Sequence, residues 1–381
     1  MKRFEWRGAA ATAAILAGLA PATVFAHDHE HDYPAFSGVI PIELQYDNTY
    51  DSTAPGNEAS DLYFTIEPEF VLEANEWLSF TAGLVFEPVE DLDPYEDRAF
   101  EDHGLFVETL KADIALDPVT ITLGKFTPAF AYAVDVVPGV VGDLFAEDVE
   151  VTERIGAGIS AEIETDGAGT FLIGGSAFFR DTTFLSDSAF ESRGELDEAD
   201  GGIGNTEDLS NFVINAGLSD AFGAKGLTLH GAFMHQAGGA GDLSDQDAYL
   251  LAASWDFVIN EEDGVVLTPV VEWAHSEDAV GFGDAASAPG ADQSVLTLGL
   301  GLTAGPWNVA AVYGDRDTED PGLYVGGDVD EEFWQLSAGY AFDFGLGLDL
   351  GVGGYEDNAG TDDEFFTALL TYEIAFGGEE E

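Results

Sequence analysis

FWQLSAGYAFDFGLGLDLGVGGYED, residues 333–357, decides the fold. Trp334, Leu336, Ala338, Tyr340, Phe342 and Phe344 occupy every second position and are all apolar. Between them stand Gln335, Ser337, Gly339, Ala341 and Asp343, which are small or polar. Past Gly345 the alternation resumes, with Leu346, Leu348, Leu350 and Val352 set against Gly347, Asp349, Gly351 and Gly353. Side chains of a strand point alternately to its two faces, whereas a helix repeats every ~3.6 residues, so this stretch is two strands joined at a turn. One face of the hairpin is apolar, and the fold turns on what covers it.

The same period of two recurs along the chain. Strands are expected at 36–47, 61–73, 76–87, 104–116, 119–126, 153–165, 170–180, 209–219, 227–236, 248–259, 265–274, 294–303, 307–314, 332–344, 346–354 and 364–376, sixteen in all. Short, turn-like connections such as Asp117-Pro118 or DGAG alternate with long ones rich in Asp, Glu and Gly, such as PVEDLDPYEDRAFEDH. Hairpin turns on one rim and longer loops on the other describe an antiparallel up-and-down meander. An even strand number places both ends of the barrel on the short-turn side.

A soluble meander of this length would leave open edges. Sixteen strands instead close into a cylinder wide enough to hold water. The residues alternating with the apolar set are Thr, Ser, Gly, Asn, Glu and Asp, too polar to fill a core. The expected fold is all-β: a closed transmembrane β-barrel with its apolar face in lipid and its polar face around an aqueous lumen. Closure pairs every backbone group, as a bilayer requires. Aromatics near strand ends, among them Trp77, Trp255, Trp273, Trp307, Trp334 and Tyr372, suit the two membrane interfaces.

The 381 residues include no cysteine, which excludes disulfides and thiolate metal sites. Lys2, Arg3 and Arg7 precede an apolar run at 8–20 and the small-x-small pattern Val24-Phe25-Ala26, the signature of a secretory leader cleaved after Ala26. The expected organisation is a leader at 1–26, a short His/Asp-rich periplasmic tail at 27–35, the barrel at 36–376 and an acidic tail at 377–381. The chain holds 11 basic and 74 acidic residues, a formal charge of −63, and the leader accounts for three of the basic ones. Nucleic acid and acidic lipid headgroups, which need basic surface, are not expected as partners. A saline habitat and a bias toward cations both accommodate the excess.

The leader, the sixteen alternating segments, the short/long rhythm and a closing strand FFTALLTYEIAF that ends in Phe376 make the chain resemble a Gram-negative outer-membrane porin over its whole mature region. The GGEEE after Phe376 departs from the family pattern. The resemblance implies an outer-membrane location, passive diffusion of small hydrophilic solutes, no cofactor, a homotrimer, and a long third loop folded into the lumen. Here that loop is 127–152, the most apolar of the long connections.

Reading the inward positions by parity places Asp113, Glu162, Asp256 and Glu272 on the lumen side with Lys111, Arg154 and Arg180. The third loop adds Asp135, Asp143, Glu147, Asp148 and Glu150. Carboxylates around a pore raise the local cation concentration and repel anions, so a preference for cations is expected. Glu108 and Lys125 fall on the apolar register, which implies a rim position or a β-bulge. His27, His29 and His31 in HDHEHD have a spacing that could hold Zn²⁺ or Cu²⁺. No GxSxG is present, the acidic loops lack EF-hand spacing, and no enzyme is expected. Two other readings stay open: a channel specific for a metal complex, siderophore or sugar, and a plugged structural or adhesive barrel.

Overall fold

The structure, a computed structural model, describes residues 33–283, 286–320, 322 and 326–377. The leader, the HDHEHD histidines and the end of the acidic tail lie outside the described residues. Sixteen barrel strands run in chain order: β1 (Ala35–Ser52), β2 (Ala59–Ile66 and Glu69–Asn75), β3 (Leu78–Pro88), β4 (His103–Ala115), β5 (Val119–Phe126), β6 (Arg154–Thr165), β7 (Gly169–Arg180) and β8 (Asn211–Ser219). They continue as β9 (Leu227–Gln236), β10 (Gln246–Trp255 and Phe257–Asn260), β11 (Val265–Val280), β12 (Ala286–Ala304), β13 (Trp307–Glu319), β14 (Val329–Ala341), β15 (Leu346–Asp357) and β16 (Asp362–Phe376). Each pairs antiparallel with the next, and β16 returns to β1 with Gly38 opposite Phe376 and Leu44 opposite Leu370. The sheet therefore closes and leaves no edge within the barrel.

Breaks in β2 and β10 have local causes. Pro68 has no N–H to give to the ladder, and its carbonyl takes the Leu84 N–H at 3.0 Å instead. Asp256 turns its N–H to Gly226 O at 3.0 Å, while its carboxylate accepts the Thr268 hydroxyl at 2.9 Å. Two short strands inside the long connections add to the rim. Arg98–Ala99 pairs with β2, and Ala189–Phe190 with the start of β4.

The outer face is apolar and uncovered. Leu251, Trp307 and Ile159 are 65%, 60% and 57% exposed, and their neighbours on the same register are similar. An unbroken apolar belt of this extent is unfavourable in water and matches a bilayer. Glu108 sits in a β-bulge, where Gly83 opposes Thr109 and Leu84 opposes Val107. Lys125 stays on the outward register at the long-loop end of β5, where the connection after β7 covers it.

Two expectations need correction. Several strands run further toward the long-loop rim than hydrophobic alternation indicates: β11 reaches Val280, β12 begins at Ala286 and β13 ends at Glu319. Above the membrane the outward residues become Glu277, Asp292 and Asp317, so the alternation fades while the hydrogen-bond ladder continues. The inner face is also not uniformly polar. Phe178, Val213, Met234, Leu250, Val295 and Phe365 lie on it fully buried, and they form one apolar cluster with residues of the connection between β5 and β6.

Candidate functional site

The connection 127–153 carries a single helical turn, α1 (Ala133–Val136), and a 3-10 turn at Glu147–Val149. A non-repetitive segment must find partners for its backbone groups, and this one takes some of them from inward-facing side chains of β9, β11 and β14. His230 Nε2 donates to the Phe130 carbonyl at 3.2 Å, and its ring stacks on Tyr132 at 5.5 Å. One oxygen of the buried Glu272 carboxylate accepts the N–H groups of Tyr132 and Ala133, at 2.8 and 2.7 Å. Tyr132 also bonds Ser254 through its hydroxyl at 2.6 Å. Further along, the Val140 N–H donates to Gln335 Oε1 at 3.0 Å.

Glycines on the inner register give the segment its seat. A Cβ on Gly299 would lie 2.7 Å from Pro138 Cδ, and one on Gly314 would lie 2.8 Å from the Phe145 ring. The wall is hollowed where Pro138 and Phe145 press against it. Phe145 then packs between Phe333 and Tyr355, at ring distances of 5.9 and 6.4 Å.

Ion pairs fix the segment's far end. Arg316 contacts Asp148 and forks onto Glu331 at 2.6 and 2.8 Å, with its guanidinium 4.6 Å from the centre of the Phe145 ring. Glu153 receives Lys125 at 2.7 Å and both guanidinium nitrogens of Arg193 at 2.8 and 2.6 Å. Lys125 also meets Asp181 at 2.7 Å, which ties the connection after β7 to the same point.

The 143–150 stretch carries carboxylates close enough to perturb one another. Burial pushes the Glu150 carboxyl up to about 8, helped by the charges of Asp135, Glu108, Glu67 and Asp143. Glu147 is raised by burial and by Asp143, Glu87, Glu150 and Asp148. Burial alone raises Asp135 to about 6, and it also raises Asp143. Glu67 lies at the break in β2, and Glu87 and Glu108 belong to β3 and β4, on the wall across from β9–β15. Carboxylates of the wall and of the connection thus act on one another electrostatically.

Of the residues singled out in the sequence, Asp135, Asp143, Glu147, Asp148 and Glu150 lie together on this segment, and Glu272 anchors its start. Lys111 and Asp113 pair with each other at 3.4 Å on β4. Arg154 and Arg180 stand opposite each other across β6 and β7 at the long-loop end. Glu162 is exposed near the short-turn end of β6, and Asp256 sits at the break in β10. Arg316, Glu87, Gln335 and Arg193 were not recognised. Extending the alternation of β13 by two residues past Gly314 would have found Arg316 on the inner face. Among the described residues no three His, Cys, Asp or Glu side chains are grouped to hold a metal ion.

No protein-family model matches the chain, and no curated protein matches it. Solved structures do. OmpF of Salmonella typhi, in complex with daunomycin, has a TM-score of 0.58 at 12% identity, over 90% of this chain and 98% of that one. OpdK of Pseudomonas aeruginosa, with vanillate, has a TM-score of 0.52 at 10% identity, over 90% and 99%. A loop-deletion mutant of OmpT, an outer membrane protein of Vibrio cholerae, has 0.51 at 13% identity, over 89% and 98%. The fold is that of the sixteen-stranded outer-membrane porins. At these identities the likeness is one of fold.

Proposed function

We propose that the chain is an outer-membrane channel through which small hydrophilic solutes diffuse passively, with a preference for cations. The reading is supported by the charge of Glu87 acting on Glu147 and the charges of Glu67 and Glu108 acting on Glu150, the pattern expected of an aperture lined by carboxylates from the connection and from the wall of β2–β4. The contacts of 127–152 with inner-register side chains support its role as the constriction. A field of one sign concentrates cations and raises the barrier to anions. An anionic solute such as vanillate, found with OpdK, does not suit this aperture. No chemical step or cofactor belongs to this reading, and the homotrimer expected from the resemblance is carried as part of it.

A plugged barrel is the second reading. It is favoured by the apolar cluster in which Val141, Phe145 and Val149 pack against Phe178, Met234 and Leu250. Insertion of purified protein into a planar bilayer separates the two. Stepwise conductance with a cation-selective reversal potential supports the channel, and a folded barrel without conductance supports the plug.

A further inference from the structure

The hydrogen bonds from wall side chains to the backbone of the connection between β5 and β6 fall on residues 130–141. His230, Glu272 and Gln335 bind backbone groups of residues 130–141. The carboxylates that face the opposite wall come later, at 143–150, and a different device reaches them.

Arg316 lies on the inner register of β13, two residues beyond Gly314, and its side chain is only 18% exposed. Its Nε and Nη2 fork onto the two oxygens of Glu331, at 2.6 and 2.8 Å. Tyr355 donates a third bond to Glu331 at 2.6 Å, so the acceptor is itself fixed to β14 and β15. The remaining nitrogen, Nη1, meets Asp148 on the connection. The plane of the same guanidinium lies against the Phe145 ring. One side chain thus grips the wall with two nitrogens and the connection with the third and with its face. A lysine, with one point charge and no plane, cannot reproduce this.

We propose that Arg316 is the positioning residue of the constriction: by clamping Phe145 and Asp148 to the wall of β13–β15, it holds Glu147 and Glu150 over the aperture and so sets its width and cation preference. The proposal rests on the channel reading above. Glu331, Tyr355 and Asp148 are the charged or titratable groups that face the guanidinium from β14, β15 and the connection. A role confined to barrel stability would shift unfolding and leave permeation alone.

The test compares single-channel records of the wild type, Arg316→Gln and Arg316→Lys in planar bilayers under a KCl gradient, after heat-modifiable gel mobility shows that each barrel is folded. Arg316→Gln is expected to change unit conductance at least twofold, with frequent transitions between sub-levels, and to lower the cation-to-anion permeability ratio at least twofold. Arg316→Lys is expected to fall between the two. Should Arg316→Gln fail to assemble, Asp148→Asn and Phe145→Leu release the clamp from the connection's side and carry the same expectation. A folded variant with wild-type conductance and permeability ratio overturns the clamp. A wild type that never conducts contradicts the channel reading instead. In that case a conducting Arg316→Gln upholds the clamp, and a silent one overturns it too.

Discussion

Glu272 on β11 accepts the N–H of Ala133 at 2.7 Å, and the same carboxylate oxygen takes the N–H of Tyr132. The residues are 139 positions apart in the chain, and the bond joins the connection after β5 to the far wall of the barrel. Removing a buried charged acceptor leaves its donors unpaired, at a cost of about 3 kcal/mol for two bonds. Glu272→Ala is expected to lose about that much stability, and Glu272→Gln, which keeps an amide oxygen, clearly less. Urea unfolding of the reconstituted barrel, followed by tryptophan fluorescence, measures both. Equal midpoints for Glu272→Ala and wild type would contradict the assignment.

Raised carboxyls make the aperture pH-dependent. Asp135, at about 6, and Glu150, at about 8, gain negative charge as pH rises through those values. The cation-to-anion permeability ratio is expected to climb between pH 6 and pH 8. Stability moves the other way. The folded state keeps protons that the unfolded chain releases near pH ~4, so the contribution of these groups is full below that and falls as pH rises, levelling above their folded values. Reversal potentials across this range test the first half, and a flat profile would exclude these carboxylates from the aperture.

The barrel was legible because lipid imposes the period of two directly on the sequence. β5 and β9 were read to the residue, as 119–126 and 227–236. Above the membrane that constraint lapses. Outward residues such as Asp317 are as polar as the inner ones, so the alternation ends β13 at Gly314 and leaves Arg316 to the following loop. Around Val213, Met234 and Leu250 both faces of the strands are apolar, so the alternation reveals the strands but not the apolar character of the inner face. The site depends on pairs such as Val140 and Gln335, 195 positions apart, which no local pattern encodes.

The inner-wall glycines offer a packing test. Gly299→Val places its Cβ against the rigid Pro138 ring, and overpacking of this kind costs about 1–3 kcal/mol. Gly158→Ala meets only ordinary contacts at 3.7 Å and is expected to be neutral or slightly stabilising. Thermal unfolding of the two variants against wild type checks the contrast. Equal loss in both would show that Gly299 is not a seat for the connection.

Arg98 ties down the long connection between β3 and β4. It bonds Asp61 through Nε at 3.0 Å and the Glu90 carbonyl at 2.7 Å, with a side chain only 6% exposed. Breaking a buried pair from one side costs about 3–5 kcal/mol because the other charge stays buried. Arg98→Ala is expected to open residues 89–102 to protease, and Arg98→Ala combined with Asp61→Asn to recover part of the protection. Limited proteolysis of the reconstituted protein reads this, and an equally resistant Arg98→Ala would count against the anchor.

The most direct measurement is the reversal potential of the wild-type channel in a planar bilayer under a KCl gradient at pH about 8, where Asp135 is ionised and Glu150 is half ionised. The expected result is stepwise conductance with a potential of cation-selective sign. An anion-selective sign, or a folded barrel that does not conduct, would contradict the acidic aperture as the seat of function.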